Sequence, residues 1–274
     1  VVTQEQRRRQ LAREKFLRQQ QRRTSARRKA RMRNAAIASV LGVILIGSVA
    51  LYTTGVVLGD DDSKTNASAE VTPSASPSSK APDPCDKPAE GKVKTQTWKK
   101  EPAMTIDKSA KYTMKLATTC GDIDIALKTS AAPHTVNSFN FLAGKGYFDH
   151  TPCHRLTTNG IYVLQCGDPT GQGNGGPGYN IPDENLKDKS LKENMYPAGT
   201  VAMANTGQPG SGGSQFFLVY QNSPLPPSYT PFGTISDEGM TVLKKIAAAG
   251  ESTGAGDGAP NATVVIDKAT VTKS

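Results

Sequence analysis

From Tyr112 onward apolar and polar residues alternate. Tyr112, Met114 and Leu116 are separated by polar neighbours, and beyond Gly121 the alternation resumes with Ile123, Ile125 and Leu127, which predicts two strands of a hairpin. Further short apolar runs predict strands over 153–156 and 162–167, joined by Thr157-Thr-Asn-Gly160, and over 200–204, 216–220, 230–235 and 262–271. Two stretches change to helical spacing. Pro133 opens one at the position proline favours, with Val136, Phe139, Leu142 and Ala143 along one face and Gly144 as its stop; Gly239 to Ala249 makes the other, ending at Gly250. Many short strands with two helices predict a mainly β fold, a closed antiparallel barrel capped by the helices.

Upstream the pattern is different. Asn34 to Gly59 holds no charged residue over 26 positions, enough for a helix to cross a hydrocarbon core that needs ~20 residues. The net charge of +9 sits beside it: residues 1–33 carry thirteen Lys and Arg against Glu5 and Glu14, leaving the rest of the chain two units negative. Basic residues stay on the cytoplasmic side, so the chain is expected to cross the plasma membrane once, with residues 1–33 as a cytoplasmic tail and the C-terminal bulk outside. A cleaved leader ending near Ser48-Val-Ala50 is the competing reading. Only Phe16 interrupts the basic tail as an aromatic, so no nucleic-acid partner is expected. Residues 60–84, rich in Ser, Ala, Pro, Thr and Asp, read as a disordered linker; 85–111 are a lead-in of no legible fold, and 112–274 form the domain.

All four cysteines, Cys85, Cys120, Cys153 and Cys166, follow the apolar span, where disulfides persist. If 153–156 and 162–167 form an antiparallel hairpin, Cys153 and Cys166 meet across it, leaving Cys85 to clip the lead-in to the first hairpin at Cys120. A zinc site is the alternative, although there is no C-x-x-C and the chain has three histidines.

The chemistry concentrates in two stretches, Cys153-His-Arg-Leu-Thr-Thr-Asn-Gly-Ile-Tyr-Val-Leu-Gln-Cys-Gly-Asp168 and Thr200-Val-Ala-Met-Ala-Asn205 through Gly213-Ser-Gln-Phe-Phe217. The first, two β runs joined by a turn, sets one cation, Arg155, and one amide, Gln165, beside apolar Tyr162 and Val163, a site for an uncharged, partly apolar, hydrogen-bonding ligand. Gly171-x-Gly173-x-x-Gly176 matches a dinucleotide fingerprint, but Pro177-Gly178 follows where a helix should start. A hydrolase using Ser214 or Ser211 with His154 lacks a Gly-x-Ser-x-Gly turn and an Asp partner.

The His-Arg, Leu-Gln-x-Gly-Asp, Met-Ala-Asn and Gly-Ser-Gln-Phe-Phe motifs, in this order and spacing, resemble the cyclophilins, peptidyl-prolyl cis-trans isomerases, and among them membrane-anchored actinobacterial forms. The resemblance implies a closed eight-stranded antiparallel barrel capped by two helices, needing neither metal nor cofactor. It implies Arg155 as the catalytic donor and Gln165 as the residue that positions it. Tyr162 and Val163 are expected to wall a proline pocket, with Phe217 as its floor and Leu225 and Tyr229 at its side. Ala204 and Asn205 are expected to hold the peptide backbone, and Gln215 to supply a further polar contact. Tyr229 stands where members often carry His, and no Trp occurs around Ser223-Pro-Leu-Pro-Pro227. The partners implied are proline-containing peptides and unfolded exported proteins, met by a monomer. A proline-peptide-binding chaperone or scaffold without turnover is the alternative, and Arg155 discriminates between them.

Overall fold

The computed structural model describes residues 82–274. The basic tail, the uncharged span and the linker as far as residue 81 lie outside the described residues. In chain order the elements are β1 (Tyr112–Thr118), β2 (Gly121–Leu127), α1 (Pro133–Gly144), β3 (Thr151–Pro152), β4 (Arg155–Thr157), β5 (Val163–Cys166), β6 (Met195–Tyr196), β7 (Thr200–Met203), β8 (Phe216–Val219), β9 (Ser223–Pro224), β10 (Pro231–Ile235), α2 (Asp237–Ala248), β11 (Asp257–Gly258) and β12 (Val265–Lys273).

Ten strands form one sheet in the order β11-β4-β5-β8-β7-β10-β2-β1-β12-β3, and β6 pairs with β9 apart from it. The mainly β antiparallel class with two helices is as expected. The expected eight-stranded closure is not written in these ladders, which end at β11 and β3. The additional strands, β3, β6, β9 and β11, are two residues long, too short for alternation to reveal.

Helix α1 keeps the boundaries read from Pro133 and Gly144. Its N-cap, Ala132, has no side chain to offer the first free N–H groups. Glu184 does so instead, accepting from the His134 N–H at 3.0 Å and from the Thr135 N–H and hydroxyl at 2.9 and 2.8 Å. Helix α2 starts two residues before Gly239, because Ser236 caps it by accepting from the Gly239 N–H at 3.0 Å, and Asp237 and Glu238 favour the positive end of the helix dipole.

Side chains alternate across the sheet, and each face has its own apolar cluster. Inward, Leu156, Leu164, Phe216 and Leu218 meet Phe139 of α1 and Leu243 of α2 in the main core. Phe139 lies 4.5 Å from Phe232 and 5.2 Å from Phe148, centroid to centroid. Outward, Val163, Tyr196, Ala202, Phe217 and Val219 form a second cluster.

The lead-in runs without helix or strand, yet it is fastened along its length. Cys85 is bridged to Cys120, and Cys153 to Cys166, the pairings expected. The Trp98 ring packs against Phe141 and Tyr147 at 5.1 and 5.9 Å, and the backbone N–H of Trp98 donates to the Pro177 carbonyl at 2.8 Å. Among the described residues no helix is long and apolar enough to cross a membrane.

Candidate active site

Antiparallel register sets the site. Arg155 on β4 faces Gln165 on β5, Gln165 faces Phe217 on β8, and Phe217 faces Ala202 on β7. Cross-strand partners share a face, so a cation, an amide, an aromatic ring and a small apolar residue stand in one row on the outer surface.

The polar end of the row is tied into a chain of hydrogen bonds. Arg155 donates through Nε to Asp257 Oδ1 at 2.7 Å, through Nη2 to Asp257 Oδ2 at 2.9 Å, and through Nη1 to Gln165 Oε1 at 3.2 Å. Gln165 Nε2 donates to Gln215 Oε1, and Gln215 Nε2 to the Gly175 carbonyl, both at 2.9 Å. The hydrogen bonds to Asp257 raise the pKa of the Arg155 guanidinium further, so it is cationic at any working pH.

The apolar end is the second cluster. Phe217 meets Tyr229 edge-on at 5.5 Å, with Ile161, Leu191, Ala204 and Leu225 packed around it. Tyr196 fixes Tyr229 by donating to its carbonyl at 2.7 Å and accepting its N–H at 3.1 Å. Beyond Gln165 and Gln215 a cavity of about 280 Å³ opens between Ala204-Asn205 and the loop 173–180. Asp168 folds that loop, accepting from the N–H groups of Thr170, Asn174 and Gly175 at 2.7, 3.0 and 3.1 Å. His154 sits behind it with both ring nitrogens buried and unpaired, and burial lowers its pKa.

Arg155, Gln165, Gln215, Val163, Phe217, Ala204, Leu225 and Tyr229 therefore gather in one place, with Asn205 at the cavity rim. Tyr162 does not. Its ring packs edge-on against Tyr220 at 5.9 Å and its N–H donates to Ser223 Oγ, while Ile161 joins the Phe217 cluster. Val163 faces outward on its strand, so the residue before it is turned away. Sequence reading missed Asp257, Tyr196 and Leu191. Asp257 lies in a Gly-Ala-Gly-Asp-Gly loop 102 residues from Arg155, and Tyr196 in a two-residue strand, neither of which leaves a periodic signal. Among the described residues no group of three or more His, Cys, Asp and Glu side chains is placed to hold a metal.

Residues 113–271 match the family described as cyclophilin type peptidyl-prolyl cis-trans isomerase/CLD. The chain belongs to the cyclophilin family. It is similar to the probable peptidyl-prolyl cis-trans isomerase B of Mycobacterium leprae, 46% identical over 69% of this chain and 62% of that protein. The protein of the same description in Mycobacterium tuberculosis is 44% identical over 68% of this chain and 59% of its own length. The chain thus spans about three-fifths of these relatives. A solved cyclophilin type isomerase of Cryptosporidium parvum superposes with a TM-score of 0.50 at 27% identity, over 60% of this chain and 99% of that one. The stretch matched to the cyclophilins holds every residue of the site and leaves out the lead-in with Cys85 and Trp98.

Proposed function

We propose that this cyclophilin catalyses rotation about X-Pro peptide bonds. The observation that carries the reading is the Arg155 guanidinium, held by Asp257 and Gln165 in the same cross-strand row as the aromatic ring of Phe217. Rotation meets a barrier of about 18–20 kcal/mol because amide resonance is lost in the twisted state. The prolyl nitrogen becomes pyramidal there and its lone pair becomes an acceptor. A fixed cationic donor stabilises that state more than the planar one, which is the condition for catalysis. Phe217, Val163 and Leu225 take the proline ring, Ala204 and Asn205 the flanking backbone, and Gln165 with Gln215 keeps the donor in place. No base or nucleophile is required, in keeping with a neutral His154.

The same reading places the domain outside the plasma membrane on one anchoring helix, as a monomer acting on proline bonds of exported proteins. The 26-residue uncharged span with its basic flank supports this, as do two disulfides in residues 85–166. It also takes the sheet as a closed barrel, supported by the segment 151–157, whose first half pairs with β12 and second half with β5.

The test is NMR exchange spectroscopy on a proline peptide with the purified chain. Accelerated cis-trans exchange is expected. Binding without acceleration would leave the peptide-holding scaffold, and neither binding nor acceleration would sink both readings.

A further inference from the structure

Resting on the isomerase reading, we infer that Asp257 is a positioning residue for the reaction, acting through Arg155. Both of its carboxylate oxygens are engaged, Oδ1 by Nε at 2.7 Å and Oδ2 by Nη2 at 2.9 Å. A single contact would leave the guanidinium plane free to turn, whereas a two-point fork fixes the plane as well as the place. Of the five N–H groups of Arg155, two go to Asp257 and one to Gln165. One on each terminal nitrogen is left for substrate.

The loop that carries Asp257 is built to hold it still. Glu251, only 8% exposed, accepts at Oε2 from the Thr253 N–H and hydroxyl, each at 2.6 Å, and at Oε1 from the Gly256 N–H at 2.8 Å. Asp257 itself is paired on the ladder, opposite Thr157 of β4. Gly256 has φ 89°, and a Cβ there would come within 2.5 Å of the Asn159 side chain, so only glycine lets the loop close on the β4–β5 turn. A carboxylate is costly to bury, and here it is satisfied by the loop alone. The buried Glu251 thereby gains a role that the reaction itself does not give it.

Magnitudes separate orientation from stability. The side chains of the pair are 38% and 56% exposed, and ion pairs that open to water contribute little to folding. Loss of the carboxylate should leave the fold standing and the donor loose.

The experiment uses the full chain as wild type, Asp257→Asn, Asp257→Glu, Arg155→Ala and the double variant, with kcat and KM from NMR exchange and the Arg155 Nε–H resonance followed in the same samples. Asp257→Asn is expected to lower kcat ~10- to 100-fold, as a misplaced catalytic group does. KM should stay within ~2-fold and the melting temperature within ~4 °C. Asp257→Glu should recover part of the rate. In the Arg155→Ala background, Asp257→Asn should change nothing further. The wild-type Nε–H signal should be protected from exchange and should lose that protection in Asp257→Asn. An active wild type with unchanged or faster turnover in Asp257→Asn overturns the inference, as does a further loss in the double variant. An inactive wild type with a protected Nε–H overturns the isomerase reading and the positioning role with it, leaving the ion pair as structure.

Discussion

Arg155 and Phe217 share one cross-strand row, and the proposed mechanism assigns them to different states of the substrate. If the guanidinium acts on the pyramidal nitrogen, Arg155→Ala should lower kcat and kcat/KM together by ~10²–10³, while peptide affinity falls much less. Arg155→Lys should not restore the rate, since an ammonium cannot span both Asp257 oxygens and Gln165 at once. If the Phe217 ring floors the proline pocket in both states, Phe217→Ala should weaken binding and rate alike. Titration of a proline peptide, followed by shift and exchange in one sample, separates these outcomes.

The elements around the row depend on partners far away in sequence. Glu184 caps α1 from 49 residues beyond it, so Glu184→Ala should cost ~1–2 kcal/mol and lower the melting temperature by several degrees, measured by calorimetry. The glycine loop hangs on Asp168. Burial raises its pKa, but hydrogen bonds from the Gly175 and Thr170 N–H groups and the Thr170 hydroxyl outweigh that and leave it lowered. A carboxyl lowered in the folded state contributes stability above its unfolded pKa of ~4 and loses it as pH falls through the folded value. The Gly175 amide resonance should therefore hold its shift down to pH ~4 and move below it; a transition centred near neutrality would assign the loop's anchor to another group. Cys85–Cys120 clips the lead-in on the far side of the sequence from Arg155, so Cys85→Ser should lower stability by ~2–5 kcal/mol and spare turnover.

As proposed, the molecule is a folded cyclophilin domain on a membrane tether. The intact protein should pellet with membranes and resist carbonate extraction, with the disulfide-bearing domain open to protease added outside the cell. A mature protein starting near Leu51 in the soluble fraction would replace the tether with a cleaved leader. Trp98 extends the domain beyond the stretch matched to the family: its ring packs on Phe141 and its backbone N–H donates to the carbonyl of Pro177, which lines the cavity. The lead-in belongs to the folded unit even though its composition gives no sign of it.

Features that depend on near neighbours were legible in the chain. Alternation placed β1, β2, β5, β7 and β8 to within a residue or two, and Pro133 with Gly144 bounded α1, because side-chain period and backbone sterics are local properties. The motif order brought out Arg155, Gln165, Gln215 and Phe217, and the expected hairpin joined Cys153 to Cys166 and left Cys85 for Cys120. Features that depend on how distant strands register came from the folded chain. It turned Tyr162 toward Tyr220 and gave Ile161 to the pocket, capped α1 with Glu184, and set Asp257 against Arg155 across 102 residues. Those contacts are made where β11 lies beside β4 and where loops fold back on helices, and no periodicity in the chain encodes which loop residue will arrive there.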